Sequence, residues 1–532
     1  MDMKYIDLQK YLFDHVPFRS ELIKIENDCN QIYSIKVFRN HSFELVSSVI
    51  HAYLKYAGMN IEFHYSDYDD SFSFFDFSDT EDAVLLWMDL SRYAVDDVES
   101  FVADRVKDIK NRTSKPVLVV TTGRRISLGK DIFSFDLDSL EQEIGEGFFD
   151  LKREGLTGTK LSNKACLAAA RELGTKYLPA LFRPALKAIV VDLDNTLYKG
   201  VLGEDGIEGI ELTSAHAALQ KKLTELAAQG FFICVVSKND QSDVEKMFDL
   251  RSDFPLQKSA LTFIIASWQA KSKSILDIAA RLNIGTDSIL FIDDNMGELS
   301  EVSSRIPDIH LLHAQDDASA TLRALSCFPG LLKVFQNRED TLRQSDVQAN
   351  EQRRKLQENL SHEEYLRNLG MELRILLDDE AGKARIAELS NKTNQFIFTY
   401  RRYTLAQVEA LIAGRNSVIV SLHLRDKLSD SGMIGALVLV REGDTAVLDE
   451  MYISCRALGR GIDDIIIFEA ISDGLKKLSV NKLRVNFVRG ERNRPAEMFY
   501  QQYLSGYAVP AVFEPRPQSD LVNIIHEGES NE

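Results

Sequence analysis

Apolar runs of strand length alternate with amphipathic segments of helix length in the first third of the chain. The runs that predict strands are 33–38, 60–65, 83–88 and 116–122. The segments that predict helices are 43–57, 95–110 and 163–175. Strands separated by helices favour a parallel sheet, so we expect an α/β domain in residues 1–180.

The same rhythm returns more clearly in residues 181–331. Five runs rich in β-branched residues predict buried strands, namely LKAIVVDLD, FFICVVS, TFIIAS, SILFIDD and DIHLLH. Helix-period segments lie between them at 215–229, 241–249 and 271–283. This pattern predicts a doubly wound α/β domain, in which ligands bind at the carboxyl ends of the strands.

The pattern changes twice in the last third. Residues 332–368 are highly charged with few apolar positions, which predicts an exposed helical connector. Residues 369–515 contain two adjacent β runs near 417–441 and a helix pattern at 462–477, which predict a hairpin within an α+β domain. The polar, acidic tail at 516–532 is expected to be flexible.

Composition limits the class of protein. The 532 residues carry 63 Lys and Arg against 81 Asp and Glu, a formal net charge of −18, and this acidity argues against a general nucleic-acid-binding protein. No apolar stretch is long enough for a membrane span, and the first residues do not form a signal peptide. Scattered cysteines without metal-ligand spacing favour reduced thiols, so we expect a soluble cytoplasmic protein. The cysteines are Cys29, Cys166, Cys234, Cys327 and Cys455.

Acidic residues follow the first strand of the middle domain, in the segment VVDLDNT. Asp192 and Asp194 end this apolar run two residues apart. Polar residues that end or follow the other runs are Ser237, Asn239, Lys271, Asp293 and Asp294. Because the carboxyl ends of parallel strands line one cleft, we expect these side chains to meet there. For Asp192 and Asp194 alone, a solvated turn is the alternative explanation.

This set of side chains suits phosphoryl transfer. One carboxylate attacks phosphorus to form an aspartyl phosphate, and a second protonates the leaving oxygen and then activates water. A hydroxyl and an ammonium group hold the phosphoryl oxygens. Mg²⁺ neutralises their charge and takes hard oxygen ligands from a few carboxylates.

The spacing of these residues limits what covers the cleft. Between Asp194 and Ser237 there are 42 residues, and between Ser237 and Lys271 there are 33. The helix and strand of the core use most of each segment, so neither has room for a large cap domain. An open cleft admits a bulky or protein-tethered substrate, or needs another domain as its lid.

In this order the motifs resemble those of the haloacid-dehalogenase-like (HAD-like) phosphotransferases. The resemblance implies that Asp192 is the nucleophile and that Asp194 is the general acid and base. The phosphate-binding residues that it implies are Ser237, Asn239 and Lys271. The Mg²⁺ ligands that it implies are Asp192, the carbonyl group of Asp194, and Asp293 or Asp294.

Longer strings narrow the resemblance to the FkbH-like family. They are LYKGVLGEDGIEGI, SKND, SWQAKSKSI, FIDDNMGELSEV, KTNQFIFTYRRYT and SCRALGRG. Members of this family take 1,3-bisphosphoglycerate, remove phosphate, and place the glyceryl group on the phosphopantetheine thiol of an acyl carrier protein in polyketide-type biosynthesis. The similarity covers about residues 185–510, and the N-terminal third resembles the SGNH-like domain of longer members.

The chain departs from the family pattern around the cleft. Residues 198–199 are Tyr-Lys where members commonly carry Trp-Gly, and Ser267 stands where they carry Asn. Residues 296–298 are Met-Gly-Glu where members carry Pro-Phe-Glu. Since the acidic residues are retained, these departures leave the identity of the acyl donor open rather than the phosphoryl chemistry.

A glycine pattern marks the C-terminal domain. Arg456, Gly459 and Gly461 lie between a predicted strand and a helix and resemble the pyrophosphate loop of GNAT-type acyltransferases, which implies a site for the phosphate of a pantetheine arm. Cys455 precedes this loop, beside Arg456 and a helix start, both of which lower the pKa of a thiol. We expect Cys455 to accept the glyceryl group. A buried packing cysteine is the alternative.

Other candidates in this domain come from the resemblance. His423 and Asp426 fall in the region assigned to the transferase site, although a satisfied strand histidine explains His423 equally well. Asn394 is a candidate for binding phosphate or carrier, against a solvated charge cluster, and Asn493 for binding substrate or pantetheine. Carrier proteins are typically acidic, so docking to this acidic chain requires a local basic surface. The arginines considered for it are Arg401, Arg402, Arg456, Arg460, Arg489, Arg492 and Arg494.

The N-terminal domain lacks a complete hydrolase signature. Residues 38–50 resemble the first SGNH block, where Ser42 is nearest to the nucleophile position. The partner Asp-x-x-His is missing, because no His lies between 64 and 216, and a serine without its base is a poor nucleophile. We therefore predict a non-catalytic scaffold or carrier-docking module, with Ser42 as a helix cap.

The preferred interpretation is a Mg²⁺-dependent glyceryltransferase and phosphatase with SGNH-like, HAD-like and GNAT-like domains. Two rivals stay open. A HAD-type small-molecule phosphatase with an accessory acyltransferase-like domain would keep the chemistry of Asp192 but form no acyl-enzyme. A carrier-binding scaffold without activity would have no need of the intact acidic set.

Overall fold

The computed structural model describes residues 4–94, 97–129, 132–334, 349, 353, 356, 360–454, 462–490, 493–516 and 521–527. The chain divides into two compact units. Residues 1–279 and 285–336 belong to the first unit, and residues 280–284 and 337–532 belong to the second. Most of the predicted connector lies outside the described residues.

The first unit begins with a parallel sheet. Its strands are β1 Ile32–Arg39, β2 Asn60–Tyr68, β3 Ala83–Asp89, β4 Val117–Thr122 and β5 Ser134–Asp136, in the order β2-β1-β3-β4-β5. All residues of β3 and β4 are buried. Along β3, Leu85 and Trp87 join one apolar cluster, while Leu86 and Met88 join another. Apolar side chains therefore cover both faces of this sheet, as expected of parallel strands.

A second parallel sheet follows in the same unit. Its strands are β6 Ala188–Val191, β7 Phe232–Ser237, β8 Phe263–Ala266, β9 Ile289–Asp293 and β10 His310–His313, in the order β10-β9-β6-β7-β8. The chain runs outward from β6 through β7 to β8 and then returns to β9 on the other side. The predicted doubly wound sheet is confirmed, and its strand order reverses at β6, the place where such sheets bind ligands.

Helices connect these strands. They are Lys4–Phe13, Arg19–Leu22, Glu44–Tyr56, Val98–Lys110, Glu141–Ile144, Glu154–Thr157, Asn163–Glu172, Leu178–Phe182, Leu202–Gly209, Ser214–Ala228, Gln241–Leu250, Lys271–Leu282, Met296–Arg305 and Ala318–Ser326. One apolar cluster continues from the first sheet to the second. Within it, the ring of Tyr56 meets that of Phe328 edge-on, with 6.1 Å between centroids.

The second unit is built on a seven-stranded mixed sheet. Its strands are β11 Met371–Leu377, β12 Ser417–Arg425, β13 Asp430–Glu442, β14 Thr445–Ile453, β15 Lys482–Val485, β16 Ala511–Val512 and β17 Val522–Glu527, in the order β16-β15-β14-β13-β12-β11-β17. Strands β11 to β14 pair antiparallel. The hairpin predicted near 417–441 is therefore confirmed, as β12 and β13.

β14 pairs with β15 along only the first part of its length. β14 pairs in parallel with β15 only through residues 445–448 and 482–485. Beyond them, Ile397 makes a bridge to Tyr452 of β14. The helices of this unit are His362–Leu369, Lys383–Lys392, Leu405–Ile412, Asp463–Leu478 and Arg494–Phe499. In the described parts of the chain, every helix is too short or too polar to cross a membrane.

Candidate active site

Asp192 follows the central strand of the second sheet. Its backbone N–H donates to the carbonyl oxygen of Ile292 at 2.9 Å, which continues the pairing of β6 with β9. The side chain is 5% exposed, so its carboxylate lies almost entirely within the protein. The strand order places this carboxylate at the reversal point of the sheet.

Lys271 links Asp192 to the neighbouring strand. The helix Lys271–Leu282 begins at this residue, and its ammonium nitrogen lies 2.9 Å from Oδ1 of Asp192 and 2.6 Å from Oδ2 of Asp293. Burial alone would lower the pKa of Lys271, but the two carboxylates outweigh it and raise the pKa. Lys271 therefore stays charged at neutral pH and offers a fixed cation at the carboxyl ends of β6 and β9.

Three carboxylates converge beside this cation. One oxygen from each of Asp192, Asp293 and Asp294 lies within 4.8 Å of the others. Burial raises the pKa of Asp192 although Lys271 opposes the shift, and burial together with Asp192 raises the pKa of Asp293 to about 7. Burial also raises the pKa of Asp294. Burial disfavours the charged form of all three carboxyl groups. A cluster of carboxyl groups with shifted pKa values is typical of a functional site.

The acidic trio fits a hard divalent cation. Oδ1 of Asp192 is buried, and the cation beside it is the ammonium group of Lys271 at 2.9 Å. Mg²⁺ prefers oxygen ligands and is held by a few carboxylates, so the donor set at Asp192, Asp293 and Asp294 suits it. Three carboxylates converge here beside one ammonium group, and a divalent cation would neutralise the negative charge that Lys271 leaves uncompensated.

Asp194 is held by three donors. Its Oδ1 accepts from the hydroxyl of Tyr198 at 2.7 Å and from the backbone N–H of Leu202 at 2.9 Å. Its Oδ2 accepts from Nδ2 of Asn239 at 2.8 Å, and the same nitrogen lies 3.1 Å from Oγ of Ser237. The predicted residues Asp194, Asn239 and Ser237 are thus brought together in one network.

Tyr198 is a site residue that the sequence interpretation treated only as a departure from the family pattern. Its ring is buried, and burial together with the nearby carboxylate of Asp194 raises the pKa of the phenol. Tyr198 therefore remains a hydrogen-bond donor at neutral pH. Its spacing of four residues from Asp194 was the available signal.

The segments around the cleft are short. Between Asp194 and Ser237 lie the helices Leu202–Gly209 and Ser214–Ala228 and the body of β7. Between Ser237 and Lys271 lie one helix, a 3₁₀ turn and β8. Residues 192–271 are all described, and neither segment contains a separate cap domain. This agrees with the prediction, made from the spacing of the motifs, that neither segment has room for a large cap domain.

The first helix of the chain contacts the edge of this sheet. Nε2 of Gln9 donates to the carbonyl oxygen of His313 at 2.8 Å, and the N–H of His313 donates to Oε1 of Gln9 at 3.1 Å. The imidazole of His313 lies 2.9 Å from the carbonyl oxygen of Asp294 and 3.0 Å from Nε2 of Gln315. With Gln315 donating to Nδ1, Nε2–H donates to Asp294 and fixes the backbone beside the acidic trio.

The C-terminal candidates are only partly described. Cys455, Arg456, Gly459 and Gly461 lie outside the described residues, as do Arg460 and Arg492. Asn493 is fully buried and binds backbone on both sides, since its Nδ2 donates to Ile397 at 3.0 Å and to Val488 at 2.9 Å. Its Oδ1 accepts from the N–H of Gly490 at 2.9 Å. These bonds show that Asn493 joins two loops, and its role toward substrate stays a prediction.

Other C-terminal candidates also hold loops. Oδ1 of Asn394 accepts from Arg402 at 2.7 Å, and Arg402 also donates to the carbonyl oxygen of Thr393 at 2.6 Å. Arg401 pairs with Asp449 on β14. Two arginines of the expected basic surface are thus engaged within the unit, and a ligand-binding role for Asn394 is not tested by these contacts.

Asp426 and His423 lie near each other in sequence but in different environments. Asp426 forms a buried ion pair with Arg353 at 2.7 Å and accepts from the N–H groups of Leu428 and Ser429. His423 lies on β12, with its Nε2 3.8 Å from Oδ2 of Asp379. The structure gives Asp426 a structural role, and the catalytic roles of both residues stay predictions.

Ser42 does not cap the following helix, so that expectation was wrong. The helix Glu44–Tyr56 has Phe43 at its N-cap position, without a side-chain cap. The hydroxyl of Ser42 donates instead to Oε2 of Glu44 at 2.6 Å, and its N–H donates to the carbonyl oxygen of Gly158. Ser42 thus lies one residue before the N-cap position, and its hydroxyl is bound by Glu44 in the first turn of the helix.

Polar residues are also buried at the carboxyl edge of the first sheet. Lys160 and Asp89 form an ion pair at 2.9 Å, and both side chains are buried. His41 stacks on Trp87 with 5.0 Å between centroids, and its Nδ1 lies 2.9 Å from Oγ1 of Thr159. Burial lowers the pKa of His41 to about 3, so the ring is neutral at physiological pH.

The cysteines of the first unit agree with packing roles. Cys166, Cys234 and Cys327 are buried, and Cys29 is half-buried. Burial raises the pKa of Cys234 to about 12 and that of Cys327 to about 11. Such thiols are poor nucleophiles at neutral pH.

No protein-family model and no curated protein matches the chain. Among solved structures, the N-terminal part of a Bacteroides fragilis protein, containing a phosphatase domain complexed with Mg, is similar over 59% of this chain and 98% of its own, at 18% identity and a TM-score of 0.46. An N-acetyltransferase from Thermoplasma acidophilum in complex with coenzyme A is similar over 25% of this chain and 87% of its own, at 18% identity and a TM-score of 0.17. A tandem GNAT protein from the clavulanic acid pathway is similar over 25% of this chain and 43% of its own, at 17% identity and a TM-score of 0.19. These TM-scores lie below 0.5, so the proposals below rest on the site and its motifs.

Proposed function

We propose that the chain is a Mg²⁺-dependent, HAD-like phosphatase coupled to acyl transfer. The observation that carries the phosphatase part is the arrangement at the end of β6. There the ammonium nitrogen of Lys271 lies 2.9 Å from Oδ1 of Asp192. One carboxylate oxygen from each of Asp192, Asp293 and Asp294 lies within 4.8 Å of the others. A buried carboxylate beside a fixed cation and two further carboxylates is suited to nucleophilic attack on a phosphoryl group.

In the first half-reaction, a carboxylate oxygen of Asp192 attacks the phosphorus atom and the bond from phosphorus to the substrate's alcohol oxygen breaks. Asp194 is the general acid of this step, gives a proton to the leaving oxygen and becomes a carboxylate. Tyr198 and Asn239 hold Asp194 in place for this transfer. The products are a phosphorylated Asp192 and the free alcohol.

In the second half-reaction, Asp194 is a carboxylate and takes a proton from water. The water oxygen attacks phosphorus, the bond to Asp192 breaks, and inorganic phosphate leaves. Ser237 and Lys271 are placed to hold the phosphoryl oxygens. Mg²⁺ held by Asp192, Asp293 and Asp294 would neutralise the charge on those oxygens.

For the acyl-transfer part, we propose the glyceryl group of 1,3-bisphosphoglycerate as the acyl unit. The thiolate of Cys455 attacks the acyl phosphate carbon, the bond to the phosphate oxygen breaks, and a thioester forms. The phosphopantetheine thiolate of an acyl carrier protein then attacks the thioester and frees Cys455. The family motifs around Cys455 support this proposal.

A small-molecule phosphatase with an accessory acyltransferase-like domain is the second candidate. One observation favours it: among the described residues, the candidates for the phosphoryl site converge around Asp192 and Asp194. In contrast, the described C-terminal candidates Asn394, Asp426 and Asn493 hold their own loops.

The intact mass of a carrier protein separates the two candidates. The carrier is incubated with 1,3-bisphosphoglycerate, Mg²⁺ and either the wild-type chain, Asp192→Asn or Cys455→Ala. The proposal predicts a glyceryl adduct with the wild type, no dephosphorylated adduct with Asp192→Asn, and no adduct with Cys455→Ala. Asp308→Asn, at an exposed acid of the same unit, serves as the matched control and should load like the wild type. Phosphate release without any adduct would favour the second candidate.

A further inference from the structure

Trp268 is an exposed aromatic residue beside the phosphoryl site. Its side chain is 71% exposed, whereas Trp87, the other tryptophan of the chain, is fully buried. Leaving an indole ring in water forgoes a large favourable burial energy, because aromatic side chains carry much apolar surface. Other apolar side chains, such as Phe75, are equally exposed, so the place of Trp268 beside the site, rather than its exposure alone, points to a role.

The backbone on both sides of Trp268 is attached to the site. The N–H of Ser267 donates to the carbonyl oxygen of Ser237 at 3.0 Å. Three residues after Trp268, Lys271 places its ammonium nitrogen between Asp192 and Asp293. The ring is thus carried by a short loop whose ends are fixed at the phosphate-binding residues.

The ring itself is oriented as well. Nε1 of Trp268 donates to Oδ1 of Asp240 at 3.0 Å, and Asp240 directly follows Asn239 of the Asp194 network. With its only polar atom engaged, the ring has only apolar surface left to offer. A side chain held in place before binding loses little entropy when a ligand covers it.

A second exposed apolar side chain lies on the other side of the nucleophile. Met296 is 41% exposed and comes two residues after Asp294, where the helix Met296–Arg305 begins after β9. In the sheet order, β9 lies to one side of β6, and β8, which precedes Trp268, lies to the other. No cap domain lies within residues 192–271, and the segments after β8 and β9 that carry Trp268 and Met296 lie on opposite sides of β6 in the sheet order.

We infer that Trp268, with Met296 opposite, is the contact surface for the organic chain of an extended phosphomonoester, a specificity role that rests on the proposed function. The chemistry that fits is a phosphoglyceryl thioester on a pantetheine arm, whose methylene and amide groups pass over the rim while the phosphate reaches Asp192. An indole face packs against such groups, and a methionine adapts to their shape. A short phosphate ester lacks these groups.

A matched pair of substrates tests this role. One is the S-pantetheine thioester of 3-phosphoglycerate, and the other is its S-methyl thioester, which carries the same phosphate without the arm. Trp268→Ala is expected to lower kcat/KM for the pantetheine thioester about tenfold more than for the S-methyl thioester, mainly through KM, as one aromatic contact is worth that factor. Trp268→Phe should restore most of the difference.

Controls distinguish the outcomes. Leu276→Ala removes another exposed apolar side chain from the same stretch of chain and should leave the ratio of the two kcat/KM values as in the wild type. If both thioesters are hydrolysed and Trp268→Ala affects them equally, the role of Trp268 is wrong while the proposed function stands. If the wild type hydrolyses neither thioester, the proposed function is overturned and the role of Trp268 falls with it.

Fluorescence provides a readout that does not depend on turnover. In an Asp192→Asn background, acrylamide quenching is compared with and without Trp268→Phe, which isolates the emission of Trp268 from that of buried Trp87. Adding the pantetheine thioester should protect Trp268 from the quencher, and the S-methyl thioester should protect it far less. Bound pantetheine thioester that leaves the quenching of Trp268 unchanged would overturn the inference.

Discussion

At the scale of single residues, Lys271 balances two buried carboxylates at once. Its ammonium nitrogen lies 2.9 Å from Asp192 and 2.6 Å from Asp293, and all three side chains are buried. Removing one member of a buried ion pair leaves an uncompensated charge, which costs roughly 3–5 kcal/mol. The same cation that binds phosphate in the proposed mechanism therefore also stabilises the site.

Lys271→Met tests this double role, because it keeps the length of the side chain and removes the charge. In metal-free protein we expect the free energy of unfolding to fall by roughly 3–5 kcal/mol, measured by urea denaturation. Lys273→Met, at an exposed lysine of the same helix, should change it by less than about 0.5 kcal/mol. Equal stabilities of the two variants would contradict the assigned ion pairs.

Tyr198 acts through Asp194 and is a positioning residue. Tyr198→Phe removes the 2.7 Å hydrogen bond to Oδ1 and leaves the ring in its buried place. We expect kcat for phosphate release to fall about tenfold with KM nearly unchanged, since one donor to the proton-transferring group is lost. A steady-state kinetic comparison at several pH values measures this.

Tyr403→Phe provides the matched control for Tyr198. It removes a phenol-to-carboxylate hydrogen bond of 2.7 Å, to Asp449 in the other unit. Phosphate release should be the same as in the wild type. If both tyrosine variants lose activity to the same extent, the loss reflects general damage rather than the position of Asp194.

His41 gives the first sheet a dependence on pH. Burial lowers its pKa to about 3, below the value of about 6.5 in an unfolded chain. The unfolded state thus binds the proton first, so stability is complete above about pH 6.5 and is lost as the pH falls toward about 3. Between about pH 7.5 and about pH 5 the wild type should lose about 2 kcal/mol more than His41→Gln, in urea denaturation. Equal losses would mean that the ring is already protonated in the folded protein.

The residues found from the sequence share one property, which is a local signal. Asp192, Ser237 and Asp293 each end an apolar run, so their common edge followed from the pattern. Tyr198 ends no such run. His313 ends the run DIHLLH, but its role depends on which backbone groups it faces after folding. Ser42 was misassigned by one position, since a serine before a helix also satisfies a nearby acid, here Glu44.

At the scale of elements, the first helix completes the edge of the second sheet. The side-chain amide of Gln9 both donates to and accepts from the backbone of His313, as a neighbouring strand would. Arg323 adds two bonds to the end of this helix, at the carbonyl oxygens of Phe13 and Asp14. The N-terminal helix is therefore a structural part of the sheet that carries Asp192.

Gln9→Ala should expose the edge of β10. We expect faster hydrogen exchange in a peptide covering His310–His313, and a loss of about 1–3 kcal/mol in stability from the unpaired backbone groups. Lys10→Ala, at the exposed neighbour on the same helix, should show the exchange of the wild type. Unchanged protection from exchange in Gln9→Ala would show that the two hydrogen bonds between Gln9 and His313 do not stabilise this edge of the sheet.

Elements differ in how far the sequence predicts them. The doubly wound sheet and the hairpin of β12 and β13 follow from periodicity, which is a local property. The contact of Gln9 with His313 joins residues 304 positions apart, and no pattern near either residue signals it. The pairing of β17 with β11 likewise joins segments that are far apart in the sequence. The sequence pattern predicted a flexible tail at 516–532, whereas residues 522–527 form this strand.

At the scale of the whole molecule, the net charge of −18 sets a condition on any acidic partner. Arg401 and Arg402 are engaged within the second unit, by Asp449 and by loop carbonyl groups. Arg489 pairs with Glu497 but keeps most of its side chain exposed, and Arg494 is exposed as well. Among the described arginines, a basic surface for a carrier protein would therefore use the exposed Arg401, Arg489 and Arg494 rather than the half-buried Arg402.

The proposed phosphoryl site lies in the first unit, and the motifs that resemble those of acyltransferases lie in the second. The chemistry proposed for Asp192 underlies everything that is proposed beyond it. A substrate role for Trp268, a positioning role for Tyr198 and the loading of a carrier all require that Asp192 accept a phosphoryl group.

Phosphate release by the wild type and by Asp192→Asn tests this central claim most directly. Both proteins are incubated with Mg²⁺ and the S-methyl thioester of 3-phosphoglycerate, and inorganic phosphate is measured over time. The account predicts turnover by the wild type and a loss of roughly a thousandfold or more in Asp192→Asn, because the amide cannot form the phosphorylated intermediate. Equal rates of phosphate release from the two proteins would contradict it.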